Sequence, residues 1–132
     1  MQTALMATVA THVLAAVYWA GTTFGLARTG GASADRLFAP QMAAATIAVL
    51  SGGYLWSLTH AGGSGLAEQV LALGALSAVV AAGVQGVLVG PSLRRIRRAD
   101  DAVAQKRLGL AYRISAGLLV ITLLTMTSAR YL

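Results

Sequence analysis

Residues 12–28 read HVLAAVYWAGTTFGLAR, an apolar run that contains one histidine and ends at an arginine. The run belongs to a longer stretch, residues 4–27, that has no Asp, Glu, Lys or Arg. At ~1.5 Å per residue, an α-helix of that length crosses the ~30 Å hydrocarbon layer of a bilayer. A cleaved signal peptide needs a basic segment before a shorter apolar core, and no Lys or Arg precedes Arg28. The stretch therefore predicts a retained first transmembrane helix.

The composition extends this prediction to the whole chain of 132 residues, which has room for one domain. Hydrophobic residues make up 57% of it and charged residues 11%, whereas soluble domains carry roughly a quarter charged residues. The net charge is +6, but eight of the ten Lys and Arg lie in two segments, residues 28–36 and 94–107. That grouping is typical of membrane topology signals and not of a nucleic-acid-binding face. The absence of cysteine excludes disulfides, thiolate metal sites and iron–sulfur clusters.

Three further apolar runs predict three more membrane helices, at about 41–60, 67–90 and 109–131 after the first at about 4–27. Pro40 is placed to open the second helix and Pro91 to close the third. The polar segment 92–108 predicts a short amphipathic helix at the headgroups, with its arginines on anionic lipid. We therefore predict an all-α protein, a single domain over residues 1–132 that forms a four-helix transmembrane bundle.

The basic residues set the predicted orientation. Loops 28–40 and 91–108 fall on one side of a four-helix protein and hold eight Lys and Arg. By the positive-inside rule this side is cytoplasmic, so both termini face outward (N-out/C-out). The prediction is a multi-pass protein of a bacterial-type inner (plasma) membrane with cytoplasmic basic loops.

Small residues recur at every fourth position of the third helix, namely Gly74, Ala78, Ala82, Gly86 and Gly90. Such a stripe lets two helix backbones approach closely, and close packing holds helices together in lipid. The favoured interpretation is a packing seam inside the bundle. The other is a contact face for a homo-oligomer or a larger membrane complex.

His12 is the first candidate for chemistry, at about 12 Å from the outer end of its helix. An ionisable side chain at that depth is costly and usually faces the bundle interior. One interpretation is a hydrogen bond across helices to a Thr, a Ser or a backbone carbonyl; the other is a haem or metal ligand. Trp19 lies seven residues later on the same helical face. Trp19 is expected either to line a porphyrin pocket or to belong to the core. Gln85 is a further polar residue deep in a membrane span.

Three more residues complete the set of candidates. Met126 matches the depth of His12, and a His–Met pair ligates haem and also suits copper, although methionine in an apolar helix usually serves packing. His60 lies nearer the water, as a further metal ligand or as an interfacial residue stacked near Trp56. Arg113 lies about one turn inside the cytoplasmic end. It is expected to snorkel to the interface or to hold a carboxylate such as a haem propionate.

The first and last helices resemble those of two kinds of small membrane protein, the HemJ-type protoporphyrinogen oxidases and the CopD-type copper-resistance proteins. The resemblance rests on His12 followed by Trp19-Ala20-Gly21, on Tyr112-Arg113-Ile114-Ser115 and on the Ala129-Arg130-Tyr131 tail. It implies haem b binding at His12 and a functional role for Arg113, with Trp19 as a neighbour. The HemJ-type Leu-Pro-Arg-Leu, Asn-Glu and third-helix lysine are replaced here, so the CopD-like branch is the closer likeness.

Together these observations predict an integral membrane haem b-binding, redox-linked protein of CopD/HemJ type, an oxidoreductase if it is an enzyme. Two alternatives stay open. In the first, the protein handles copper, which His12, Met126, Met6 and His60 pass through the outer half of the bundle. In the second, it binds no cofactor and is an accessory subunit of a larger membrane complex. The lipid bilayer is the expected surrounding in each case, and nucleic acid is not an expected partner.

Overall fold

The computed structural model describes residues 2–59, 62–63, 65–99 and 102–132. Its helices are α1 (Gln2–Thr29), α2 (Ala34–Thr59), α3 (Leu66–Val84), α4 (Gly90–Ala99) and α5 (Ala102–Ala129), and a π-helical turn (Gln85–Val89) joins α3 to α4. Among the described residues, four helical stretches are long and apolar enough to cross a membrane: Gln2–Thr29, Ala34–Thr59, Leu66–Arg97 and Ala102–Ala129. No strand occurs in this part of the chain. The predicted all-α, four-helix transmembrane architecture is confirmed.

The burial pattern is the reverse of that in a water-soluble protein. Large apolar side chains such as Leu14 (72% exposed) and Val87 (71% exposed) cover the outside of the bundle, while the amides of Gln41 and Gln85 are completely buried. A soluble protein buries its aliphatic side chains and leaves its glutamines in water. Hydrocarbon is the surrounding that suits this exterior, so the chain is a multi-pass protein of a lipid bilayer.

The helices pack as a ring. α1 packs on α2 and on α5, and α5 packs on α3, while α2 and α3 make a smaller contact. α1 and α3 therefore stand diagonally opposite each other, as do α2 and α5. The core at mid-height is built largely from alanines around two large side chains: Ala20, Ala44, Ala45, Ala48, Ala78 and Ala81 with Trp19 and Leu119. Such small side chains allow the close backbone approach on which helix association in lipid depends.

The small-residue stripe of α3 is divided between the inside and the outside of the bundle. Gly74 and Ala78 are buried, and the Thr122 hydroxyl on α5 donates a 3.0 Å hydrogen bond to the Gly74 carbonyl. A Cβ at Gly74 would overlap the Thr125 hydroxyl. Gly86, by contrast, is exposed. The first half of the stripe is thus a packing seam with α5 of the same chain.

α2 begins earlier than Pro40 indicates. The Leu37 amide donates to the Ser33 carbonyl at 3.1 Å, which starts the helical ladder at Ala34, and Asp35 lies in the first turn, where a carboxylate favours the positive end of the helix dipole. Pro40 therefore lies inside α2 and not at its start. The shift matters because it carries Gln41 into the bundle interior.

The chain also continues as a helix through Pro91, the second residue of α4. Proline supplies no N–H, and a local π adjustment is one way in which a membrane helix absorbs the missing hydrogen bond. α3, the π turn and α4 form one run from Leu66 to Ala99, about 50 Å long at ~1.5 Å per residue. α5 in turn begins at Ala102 and not near 109. The segment predicted as an interfacial helix is therefore divided between α4 and α5.

α4 packs on the bundle instead of lying flat on the headgroups. Its Leu93 is buried in a second core cluster with Leu108 and Tyr112 of α5, and Ile96 packs against the same cluster. The α4 face that a headgroup-bound helix would turn to lipid is covered here by α5. The run from Leu66 is longer than a ~30 Å hydrocarbon layer is thick, and its end with Arg94, Arg95 and Arg97 is the part whose charges favour water over hydrocarbon.

Candidate functional site

Five buried side chains in the middle of the bundle form a connected hydrogen-bond network, which we call the central network: Trp19, Thr23, Gln41, Gln85 and Tyr112. The Trp19 indole N–H donates to Gln85 Oε1 at 2.9 Å, and the Gln85 amide donates to the Thr23 hydroxyl at 2.9 Å. The Gln41 amide donates to the same hydroxyl at 3.2 Å, and the Tyr112 hydroxyl donates to Gln41 Oε1 at 2.8 Å. The Thr23 hydroxyl gives its own proton to the Trp19 carbonyl at 2.7 Å.

The central network spans both diagonals of the helix ring. The bond from Trp19 to Gln85 joins α1 to the π turn, and the bond from Tyr112 to Gln41 joins α5 to α2. In hydrocarbon there is no water to satisfy such groups, so each must find its partner in the protein. Among the described residues, every buried side-chain nitrogen and oxygen has one. The network therefore sets the depth and the rotation at which the four spans meet.

The π turn keeps the Gln85 side of the long helical run on the core. Ala81, Gln85, Val89 and Leu93 are four residues apart and are all buried. In a regular α-helix each four-residue step drifts by about 40°, so three steps would turn Leu93 about 120° away from Ala81. A π turn takes up one extra residue and cancels most of that drift. It therefore lets the π turn present Gln85 and α4 present Leu93 to the same interior.

His12 lies half-buried on α1 and is hydrogen-bonded to α2. Its Nδ1 is 2.9 Å from the Ala48 carbonyl oxygen and 3.0 Å from the Ser51 hydroxyl oxygen. Gly52 lies against the ring, since a Cβ there would be 3.0 Å from His12 Cε1. The cross-helix bond to a serine and a carbonyl, one of the two interpretations drawn from the sequence, is present.

The same bond sets the chemistry of the free ring nitrogen. The Ala48 carbonyl has only lone pairs, so Nδ1 carries a proton, and in the neutral imidazole Nε2 then has the free lone pair. Histidines that ligate metals commonly donate a hydrogen bond from one ring nitrogen to a group such as a backbone carbonyl, and coordinate the metal with the other nitrogen. Within the described residues, only Nδ1 of this ring is hydrogen-bonded. His12 therefore joins α1 to α2 through Nδ1, and its Nε2 is the ring nitrogen available to a metal ion.

Trp19 belongs to the core and not to the surroundings of His12. It is 2% exposed, it packs among the alanines at mid-height, and its N–H is committed to Gln85. Seven residues of α1 separate it from His12, which corresponds to about 10 Å along the helix axis. The core interpretation of Trp19 is thus the one that the structure contains, and a contact with a ligand bound at His12 stays a prediction.

Met126 is partly buried on α5 and shares the depth of His12. Thr29 and Gly109 line one cleft, and 17 residues separate Thr29 from His12 along α1 as well as Gly109 from Met126 along α5. α1 and α5 are neighbours, so this count is compatible with the equal depth predicted from the sequence, which stays a prediction. His60 lies outside the described residues. Within those residues, no three histidine, aspartate or glutamate side chains come together.

Arg113 lies at the other end of the bundle from His12. It is exposed on α5 and lines a cleft of about 480 Å³ between the end of α1 and the first half of α5. Gly109 is level with Gly30 and Arg113 lies one turn closer to His12, so Arg113 and His12 are separated by about 20 Å along the bundle. The structure thus does not bring Arg113 and His12 together, and the two do not share one ligand in this packing.

Gln41 and Thr23 were missed by the sequence reasoning, although Gln85 was noted as a polar residue at depth. Gln41 directly follows Pro40, and a helix that starts at the proline puts this glutamine at the interface. Gln41 can be recognised as a residue inside the membrane span only when the start of α2 is placed at Ala34. An amide two turns inside a membrane span needs a partner, and Tyr112 provides it.

The resemblance to CopD-type and HemJ-type proteins depends on His12, Trp19 and Arg113 and a few residues beside them, and it stays a prediction. Comparison of the chain with protein-family models, with curated proteins and with solved structures finds no match. Any function must therefore be argued from the geometry of His12 and its surroundings.

Proposed function

We propose that this chain is an integral membrane haem b-binding, redox-linked protein of CopD/HemJ type, with His12 Nε2 as an axial ligand. The observation that carries the proposal is the 2.9 Å hydrogen bond between His12 Nδ1 and the Ala48 carbonyl. In the neutral imidazole it fixes the tautomer whose Nε2 has the lone pair, and it restrains the ring orientation, as a haem iron requires of its histidine. Ser51 adds a second anchor at 3.0 Å.

The surroundings of His12 support an approach of the haem from the outside of the α1–α2 pair. The interior next to Trp19 is filled by alanines, whereas His12 itself is half-buried. On α2 the ring is bordered by Gly52, and a Cβ at the next residue, Gly53, would meet nothing within 4 Å. The open side of the imidazole therefore borders small residues and lipid-accessible space. A bound haem supplies one-electron redox chemistry, so the protein is an oxidoreductase if it is an enzyme.

The topology belongs to the same proposal. The basic residues around the first loop and those of α4 and early α5 lie at one end of the bundle. Thr29, Gly30 and Arg113 line the same cleft there, and Leu93 of α4 is buried with Leu108 of α5. The positive-inside rule assigns this end to the cytoplasm of a bacterial-type inner membrane, with both termini outside. His12 then lies in the outer half of the membrane.

The test is an absorption spectrum of the detergent-purified protein, expressed with haem available, air-oxidised and then reduced with dithionite. We expect a Soret band with reduced α and β bands, which His12→Ala abolishes because the iron loses its ligand. The matched control is Thr11→Ala. Thr11 is the exposed neighbour on α1 whose hydroxyl bonds only the Ala7 carbonyl of its own helix, so the bands should stay.

Two results would contradict the haem proposal. A folded, colourless wild-type protein, purified after expression with haem, would rule it out as a haem protein. A Soret band of unchanged position and intensity in His12→Ala would show that the haem is bound elsewhere. Ser51→Ala is expected to keep the haem and to shift the bands slightly, since Ala48 still anchors the ring.

Copper handling is the second candidate, supported by the residue count that predicts an equal depth for His12 and Met126 on the neighbouring helices α1 and α5. An imidazole and a thioether together suit Cu(I). Copper bound in the purified protein without a Soret band, and lost in both His12→Ala and the volume-conserving Met126→Leu, would support it. Retention of copper in both variants would exclude this pair as the site.

A protein with neither cofactor that co-purifies with a larger membrane protein would support the accessory-subunit alternative. Of the stripe proposed as a contact face, Gly74 and Ala78 are covered by α5, whereas Gly86 is exposed and a Cβ there would meet nothing within 4 Å. Within this alternative, a partner helix would therefore pack on the Gly86 end. Gly86→Leu should then reduce co-purification.

A further inference from the structure

The cleft beside Arg113 combines two cations with polar donors. Lys106 and Arg113 of α5 line it together with Gln105, and no carboxylate is among the described residues that line it. The Gln105 amide donates to the Gly30 carbonyl at 3.2 Å, which ties the loop after α1 to α5. The positive charge of the cleft is therefore not neutralised by the residues that form it.

Arg113 lies at the edge of the hydrocarbon layer. Residues 114–129 of α5 carry no charged side chain, and they span only about 24 Å against a layer of ~30 Å. The neighbouring side chains Leu110 and Ile114 are 56% and 42% exposed, as lipid-facing residues are. The backbone at Arg113 is thus within reach of the acyl chains, and its guanidinium must extend to the headgroups or meet an anion.

Lys106 lies seven residues before Arg113, on the same face of α5 and about two turns further from the membrane centre. The wall between these cations and α1 is made of glycine backbone. Gly30 has φ +66, a conformation that other residues rarely adopt, and a Cβ at Gly109 would be 3.6 Å from the Gly30 Cα. The result is a recess about 10 Å long, open to lipid at one end and to water at the other.

We propose that this cleft binds the phosphate group of an anionic phospholipid, with the Arg113 guanidinium and the Lys106 ammonium on the headgroup and the acyl chains along Leu110 and Ile114. Arginine forks and lysine ammonium groups are the usual donors to phosphate oxygens. The arrangement supplies one such donor at each end of the recess. This binding does not depend on haem.

A different role for the same cations is to stabilise the end of α1. Cations near a helix C-terminus interact favourably with its dipole, and Thr29, the last residue of α1, lines the cleft. That role changes thermal stability but gives no preference between phospholipid headgroups. Lipid selectivity is therefore the property to measure.

Native mass spectrometry of the detergent-purified full chain, titrated with phosphatidylglycerol or phosphatidylcholine, tests the proposal. We expect clear preference for phosphatidylglycerol. Arg113→Gln and Lys106→Gln should each weaken that binding about fivefold, the effect of one cation near an anionic headgroup, and leave phosphatidylcholine binding unchanged. Arg113→Lys keeps the charge without the fork and should lose less. The matched control is Arg107→Gln, an exposed neighbour on α5 with the same change of charge, and it should stay within twofold of the wild type.

Three outcomes would overturn the proposal. Equal binding of the two lipids would remove the selectivity. An Arg107→Gln effect as large as that of Lys106→Gln would show diffuse attraction to the whole basic end. Inorganic phosphate that displaces phosphatidylglycerol at millimolar concentration, with the same dependence on Arg113, would identify a site for a free anion instead of a lipid.

Discussion

Replacing Thr23 by valine tests whether the central network holds the bundle together. The two side chains have nearly the same shape, so the change removes a hydroxyl and little packing. That hydroxyl accepts from two amides, Gln41 and Gln85. The Gln41 amide also donates to Thr22 at 3.0 Å, whereas the Thr23 hydroxyl is the partner found for the Gln85 amide in the described structure. Valine at position 23 therefore leaves one buried donor without a partner.

The expected loss is about 2 kcal/mol in the free energy of unfolding. An orphaned buried donor costs roughly 1–3 kcal/mol. Hydrogen bonds between membrane helices average about 0.6 kcal/mol and reach about 1.7, because the unfolded chain in the membrane also finds partners. Two such bonds at a completely buried hydroxyl place the expected loss near the middle of the roughly 1–3 kcal/mol range. A loss of about 2 kcal/mol changes the folded-to-unfolded ratio roughly 30-fold.

The assay is reversible unfolding in mixed micelles with increasing SDS mole fraction, followed by far-UV circular dichroism. The matched control is Thr11→Val, the same chemical change on the exposed side of α1, which should stay within about 0.5 kcal/mol of the wild type. A Thr23→Val loss no larger than that of Thr11→Val would refute the reasoning. In a double-mutant cycle with Gln85→Leu the losses should fall short of additivity by at least about 0.5 kcal/mol, and strict additivity would show that the two side chains do not act together.

Two glycine pairs give further predictions in the same unfolding assay. Gly52→Val should destabilise the bundle and, in a haem-loaded protein, weaken the Soret band, because its Cβ would lie 3.0 Å from the His12 ring and displace it from the Ala48 carbonyl; Gly53→Val, which meets open space, should do neither. Gly74→Val should cost about 1–3 kcal/mol by overpacking the seam with α5, while Gly83→Val, with nothing within 4 Å, should stay within about 0.5 kcal/mol. Equal effects within either pair would contradict the packing described.

The membrane spans were predictable because their signal is local. An uncharged stretch that is long enough to cross the hydrocarbon layer can be recognised from its own residues, without knowledge of the rest of the chain. The helix ends were less predictable. Pro40 and Pro91 are typical boundary residues, yet both lie within helical runs. In the second case the π turn removes the conflict, and its position depends on what the helix packs against.

The candidate site was predictable only in part. His12 stood out because an ionisable side chain at that depth is costly, and the two interpretations of it both concerned a bond to its ring. Gln41 did not stand out, since its depth depends on where α2 begins. The hydrogen bond from Trp19 to Gln85 could not be predicted either, because an aromatic residue in an apolar helix is as compatible with a ligand pocket as with the core.

The sequence by itself determined that this is a chain of membrane helices, how many there are, and which end of the bundle is basic, because hydropathy and charge accumulate along neighbouring residues. Only the tertiary structure decided that His12 binds Ala48, 36 positions away, and that Trp19 binds Gln85, 66 positions away. Such contacts depend on the depth and rotation of separate helices. A shift of one residue in either helix moves a side chain by ~1.5 Å and turns it by about 100°, so these pairs exist only once all four spans have packed.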